Sequence, residues 1–175
     1  AGQWVRDEAA PNLLARMTNT IAHRGPDSAG YWHDSASGIA LGHRRLAIVE
    51  LSPAGAQPMQ SACGRYVIAF NGEIYNFLEL RRELEGLGHA FRTHSDTEVI
   101  LAAWAQWGAK AVDRLNGMFA FAIHDAADRS VTLVRDRLGV KPLFYARLPD
   151  GTVAFASELK GLLALPELPR APDML

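Results

Sequence analysis

Residues 118–156 limit the fold more than any other stretch. Four short apolar segments, 118–123, 131–134, 143–146 and 153–156, follow one another closely. The separators Asp125-Ala126-Ala127-Asp128, Leu138-Gly139 and Pro149-Asp150-Gly151 have turn composition. Parallel pairing of successive strands needs a crossover of a dozen or more residues. These segments are therefore expected to pair antiparallel. Several carry apolar residues at consecutive positions, as in Phe119-Ala120-Phe121-Ala122-Ile123. That pattern fits sheets covered by helices outside and by another sheet inside.

The rest of the chain supplies the helices and the loops between them. Residues 1–5 read as a short strand. Residues 7–22 read as a helix with Leu13, Leu14, Met17 and Ile21 on one face and Pro11 tolerated near its start. Residues 23–30 are a loop by their Gly-Pro-Asp content, 31–32 and 39–42 are strands, and 52–60 is another loop. Residues 66–70 form a buried strand that ends at Asn71-Gly72-Glu73. Asn76 with Glu79, and Ser95 with Glu98, make two capping-box-like pairs. The first opens a helix with the stripe Phe77, Leu80, Leu84 and Leu87; the second opens a helix over 97–107. Residues 157–165 make a last short helix, and 166–172 read as a linker.

Composition narrows the function classes. The 175 residues suit one domain, with 49% hydrophobic and 21% charged side chains. A net charge of −1 gives no basic field for nucleic acid. No apolar run approaches the ~20 residues that span a bilayer, and the first residues lack a secretory pattern. One cysteine, Cys63, excludes an internal disulfide, and a reducing cytoplasm is the expected location. The six histidines form no metal-ligand spacing, and neither a phosphate loop nor a dinucleotide fingerprint is present.

Three local features admit both a structural and a chemical reading. Asn71-Gly72 after a strand is ordinarily a hairpin turn. Here a capped helix follows, so the pair can instead aim a side-chain amide and a backbone N–H at one point, the equipment of an oxyanion hole. Asp96 is either a helix-terminus carboxylate or, with Ser95 acting as the cap, a ligand-facing one. Arg44-Arg45 is either a solvated pair or a guanidinium clamp for a carboxylate.

Taken in order, several segments are more specific together than apart. They are Arg24-Gly25-Pro26-Asp27-Ser28, Gly42-His43-Arg44-Arg45-Leu46-Ala47-Ile48, Gly55-Ala56-Gln57-Pro58-Met59, Asn71-Gly72-Glu73-Ile74-Tyr75-Asn76, Ser95-Asp96-Thr97-Glu98, Asn116-Gly117-Met118-Phe119-Ala120-Phe121, Arg135-Asp136-Arg137-Leu138-Gly139-Val140-Lys141-Pro142-Leu143 and Ala156-Ser157-Glu158. This series resembles the class II glutamine amidotransferase domain of the glutamine-hydrolysing asparagine synthetase family, over nearly the whole chain. The resemblance implies an α+β, N-terminal-nucleophile hydrolase fold: a four-layer αββα sandwich of two mainly antiparallel sheets. It implies an amidotransferase domain over 1–165 and a linker over 166–175. The linker would lead to a synthetase domain using ATP and magnesium, whose Ser-Gly-Gly-x-Asp-Ser loop is not in this sequence. No cofactor and no metal are implied for the present domain; a homodimer stays an open option.

The resemblance also assigns roles. An N-terminal cysteine attacks the side-chain amide of L-glutamine, with its own α-amine as general base. Asn71 and Gly72 match the oxyanion hole. Arg45 matches the residue that pairs with the α-carboxylate, and Asp96 the one that pairs with the α-ammonium. Leu46, Ala47, Ile48, Val49 and Glu73 complete the substrate cradle. Ammonia then passes to the synthetase domain. The sequence opens Ala1-Gly2, so the match places Cys-Gly-Ile directly before Ala1, and a chain beginning at Ala1 is expected to be inactive. Two alternatives are an amidotransferase with a non-aspartate acceptor and a non-catalytic glutamine-binding module.

Overall fold

The computed structural model describes residues 10–46, 53–168 and 170. The strand expected over 1–5 and the start of the first helix lie outside that set. Its strands are β1 (Ser28–Asp34), β2 (Ile39–Arg45), β3 (Met59–Gln60), β4 (Tyr66–Ile74), β5 (Gly117–Asp125), β6 (Ser130–Arg135), β7 (Phe144–Arg147) and β8 (Val153–Ala156). Its helices are α1 (Ala10–Thr20), α2 (Phe77–Gly86), α3 (Asp96–Trp107) and α4 (Leu159–Leu163). Every strand pair is antiparallel, as the close spacing requires. β3-β4-β5-β6 form a four-stranded sheet, and β1-β2 and β7-β8 form two ribbons.

The four-stranded sheet is apolar on both faces, and period-two alternation sorts its side chains between two cores. Ile68, Phe70, Phe119, Phe121 and Ile123 meet Leu80 and Leu84 of α2 and Val99, Ile100 and Trp104 of α3. Their neighbours Val67, Ala69 and Ala122 point the other way, onto Ile39 and Leu41 of β2 and Phe155 of β8. The alternation continues through β8. Phe155 joins that inter-strand core, while Ala154 and Ala156 face a third core with Met17 of α1 and Leu162 of α4.

Five expectations need correction. The loop expected over 52–60 contains a 3-10 turn at Pro53–Gly55 and then β3. β4 does not end at Asn71 but runs through Asn71-Gly72-Glu73 to Ile74, in register with β5. Asn76 occupies the N-cap position of α2 without capping it. Its Nδ2 donates to the Arg114 carbonyl and its Oδ1 accepts from Asn116 N–H, both at 3.0 Å, so both polar atoms are engaged by distant backbone. Ser95 does cap α3, accepting from Thr97 N–H at 3.1 Å. Glu98 does not close the box, because Ser95 N–H already donates to Thr93 Oγ1. Glu98 instead accepts from the backbone of Arg92 and Thr93. Leu87, placed on the α2 stripe, is 52% exposed because the helix has ended by Gly86.

Candidate active site

β4 continues past its short partner β3, which pairs only with Val67 and Ile68. Beyond that point its outer edge is served by side chains. Gln57 Oε1 accepts from Phe70 N–H at 2.6 Å. His43 Nε2 donates to the Phe70 carbonyl at 3.0 Å. Asp96 Oδ2 accepts from Ile74 N–H at 3.1 Å. Gly72 lies between Phe70 and Ile74 on the same edge. Its register partner Phe119 exchanges its N–H and carbonyl with Asp136 on the far side. Gly72 and Phe119 are thus a non-hydrogen-bonded pair, and the Gly72 N–H points outward. Only glycine fits there, since a Cβ would collide with the Met118 carbonyl oxygen and come within 2.7 Å of Phe119 Cα.

That outer edge opens into a cavity of about 390 Å³. Its lining brings together Arg45, Leu46, Asn71, Gly72, Glu73 and Asp96, which are the described members of the predicted site. Ala47, Ile48 and Val49 lie outside the described residues. Leu46 is 55% exposed, at the end of β2. The hairpin reading of Asn71-Gly72 is overturned by the unbroken β4–β5 register. Arg44 and Arg45 are half-buried cavity residues and not a solvated pair.

The electrostatics of the lining are uneven. Asp96 is 5% exposed at the first position of α3, and no salt bridge ties it to a cation among the described residues. Burial raises its pKa; the Ile74 and Thr97 N–H groups pull against that, and the Glu73 charge adds to it. Arg24, Arg44, Arg45 and Lys141 supply positive charge to the same lining. His43 is driven to about 3 by burial, with Arg45 adding to the effect and the Phe70 hydrogen bond opposing it. It is a neutral ring at any working pH. Two buried side-chain atoms of the lining have no hydrogen-bond partner among the described residues: His43 Nδ1 and Asn71 Nδ2.

The motifs whose roles were illegible in sequence hold the walls. Arg44 Nε donates to the Gly25 carbonyl at 3.1 Å, and Asp27 N–H to the Arg45 carbonyl at 3.1 Å. A Cβ on Gly25 would strike the Arg44 carbonyl carbon, so loop and strand backbones touch. Glu158 accepts from Arg24 at 3.2 Å and meets His23 and Lys160 at 3.0 Å. Asp136 receives the N–H groups of Phe119, Val140 and Lys141 at 3.2, 2.8 and 2.9 Å. Burial raises the Asp136 pKa, and these donors outweigh it to leave the pKa lowered. Arg135 closes the same loop on the carbonyls of Gly139 and Lys141, both at 2.7 Å. Gln57 and His43 were missed as site residues. The signal for His43 was the alternation Ile39, Leu41, His43 on β2, which carries a polar ring on an apolar face.

Comparison with known proteins identifies the family. A family model described as a glutamine amidotransferase domain matches residues 1–174. Asparagine synthetase (glutamine-hydrolyzing) 1 of Bacillus subtilis is 47% identical over 151 residues, covering 86% of this chain and 23% of the relative. Asparagine synthetase B (glutamine-hydrolyzing) of Escherichia coli is 41% identical over 147 residues, covering 84% and 26%. The chain thus spans about a quarter of the length of these relatives. The solved glutamine phosphoribosylpyrophosphate amidotransferase of B. subtilis superposes with a TM-score of 0.77 over 93% of this chain and 42% of that one, at 24% identity. That likeness bears on the fold alone: mixed α+β with antiparallel sheets. On the match across residues 1–174, the chain belongs to the glutamine amidotransferase domain family.

Proposed function

We propose that this domain hydrolyses L-glutamine to glutamate and ammonia as the glutaminase half of a glutamine-dependent asparagine synthetase. The carrying observation is Asp96: a buried carboxylate lining the cavity with no cationic partner in the described salt bridges, in a lining that also holds Arg24, Arg44 and Arg45. Buried charges are ordinarily paired. A free amino acid supplies the missing ammonium and offers its carboxylate to Arg45. Two opposite charge readers in one cavity select the zwitterion, and Leu46 with Glu73 shape the cradle. The side-chain amide then reaches the outer edge of β4.

There a thiolate ahead of Ala1 attacks the amide carbon, after its own α-amine takes the thiol proton. The C=O electrons move onto oxygen, which accepts hydrogen bonds from Asn71 Nδ2 and Gly72 N–H. The C–N bond breaks, the leaving nitrogen takes the proton from the α-ammonium, and ammonia departs. Water then cleaves the thioester, releasing glutamate. Ammonia is delivered to an ATP- and magnesium-dependent amide-forming domain of the same chain, in the cytoplasm. We also read the packing as four layers, αββα. The two-faced sheet supports this reading, with α2 and α3 on one side and the ribbons backed by α1 and α4 on the other.

Asn71→Ala in the full-length protein tests the oxyanion assignment. It should lower glutamine hydrolysis by ~10²–10³ in turnover, with a smaller change in KM. Amide synthesis from added ammonia should persist. Equal loss of both routes would show Asn71 to be structural.

A further inference from the structure

The face of β2 that carries Ile39 and Leu41 meets the face of β4 that carries Val67 and Ala69. Alternation puts His43 and Asn71 next on those faces, where apolar packing gives way to the cavity. The hydrogen bond of the His43 ring to Phe70 fixes its chemistry. The Phe70 carbonyl can only accept, so Nε2 carries the proton. Nδ1 is therefore a bare lone pair. It is shut off from solvent and has no hydrogen-bond partner among the described residues, and the same holds for Asn71 Nδ2, a donor. The two residues line one cavity.

One acceptor and one donor, both buried and both unfilled, are complementary to the edge of a primary carboxamide. The carboxamide has one oxygen that accepts and one nitrogen that donates. We propose that His43 is a specificity-determining residue, whose Nδ1 accepts an N–H of the substrate's side-chain amide while Asn71 Nδ2 donates to its oxygen. The inference rests on the glutaminase reading and deepens it. It explains how the domain separates its substrate from its product. A carboxylate has acceptors at both positions, so one oxygen of glutamate would face the His43 lone pair with no proton between them. Sites that leave a buried polar group unpaired reject the wrong ligand strongly.

The test uses the full-length protein. KM for L-glutamine is compared with the inhibition constant of L-glutamate in wild type, His43→Leu and His43→Asn. His43→Leu removes the acceptor, and the preference for glutamine should fall about tenfold or more, chiefly because glutamate binds relatively better. His43→Asn returns an oxygen near the Nδ1 position and should recover part of the preference. A preference unchanged in His43→Leu, or both affinities falling together, overturns the proposal while leaving glutamine hydrolysis itself in place. Should neither variant fold, two ligands of similar size decide in the unmodified protein. γ-Glutamyl hydroxamate keeps an N–H and should compete well; the γ-methyl ester of glutamate has none and should compete poorly. An ester that binds as well as the hydroxamate overturns the role of His43. Failure of the unmodified protein to use glutamine at all overturns the glutaminase reading, a distinct result.

Discussion

Asp96 sits in the first turn of α3, where the helix dipole and the Ile74 and Thr97 N–H groups favour its charge, yet burial still raises its pKa. An acid that holds its proton more tightly folded than unfolded lowers stability as the pH climbs through its folded value. Below its unfolded value that penalty is absent. Asp96→Asn removes the penalty and keeps an acceptor for Ile74 N–H, while Ser95 still caps the helix. The variant should melt higher than wild type at neutral pH, with the gain shrinking in acid. In the same protein, glutamine binding should weaken by ~1.5–3 kcal/mol, the scale of a hydrogen bond to a charged group. Thermal melts at two pH values and calorimetry check both halves. Unchanged glutamine affinity would remove Asp96 from the site.

Among the elements, the loop between β6 and β7 depends most on one side chain. Asp136 accepts three backbone N–H groups, from Phe119 on β5 and from Val140 and Lys141 on the loop, and Lys141 lines the cavity. Asp136→Ala leaves those donors without their acceptor. It should lower the melting temperature by roughly 5–10 °C and raise hydrogen exchange at residues 138–141 above that of β5. An unchanged melting temperature would mean that Arg135 holds the loop alone. Such tertiary partners are what the sequence conceals. The elements themselves were legible, because short spacing forces antiparallel pairing and because Ser95 capping is local. The end of β4 was misread because an Asn-Gly pair carries a turn preference. That preference loses to nine register pairs with β5. The Asn76 cap failed for a related reason, since Arg114 and Asn116, some forty residues away, take both its polar atoms. Of the candidate site, motif resemblance singled out Arg45, Asn71, Gly72 and Asp96, which line one cavity. Gln57 and Asp136 did not, because a side chain that serves distant backbone leaves no local pattern.

At the scale of the whole molecule, the proposed chemistry needs a nucleophile that also bears the free α-amine. Cys63 does not qualify. It is exposed, hydrogen-bonded to Ser61 and absent from the cavity lining. A protein beginning at Ala1 should release no ammonia from glutamine, and one with Cys-Gly-Ile placed before Ala1 and its initiator methionine removed should release it. Cys63→Ser should leave that activity intact. Ammonia release by the Ala1-starting protein, lost on Cys63→Ser, would place the nucleophile at Cys63. The early and late segments also meet. Arg16 of α1 donates to the Ala164 carbonyl at 3.4 Å, and His23 and Arg24 grip Glu158 just ahead of α4. These contacts hold α1 beside α4, so a flexible linker between the ends, with the chain reopened in the exposed β5–β6 turn at residues 126–129, should give a circular permutant that folds. Such a permutant should still bind glutamine by calorimetry and never hydrolyse it, because its new first residue lies at a turn outside the cavity lining. The architecture is indifferent to where the ring is cut; the reaction tolerates a single seam.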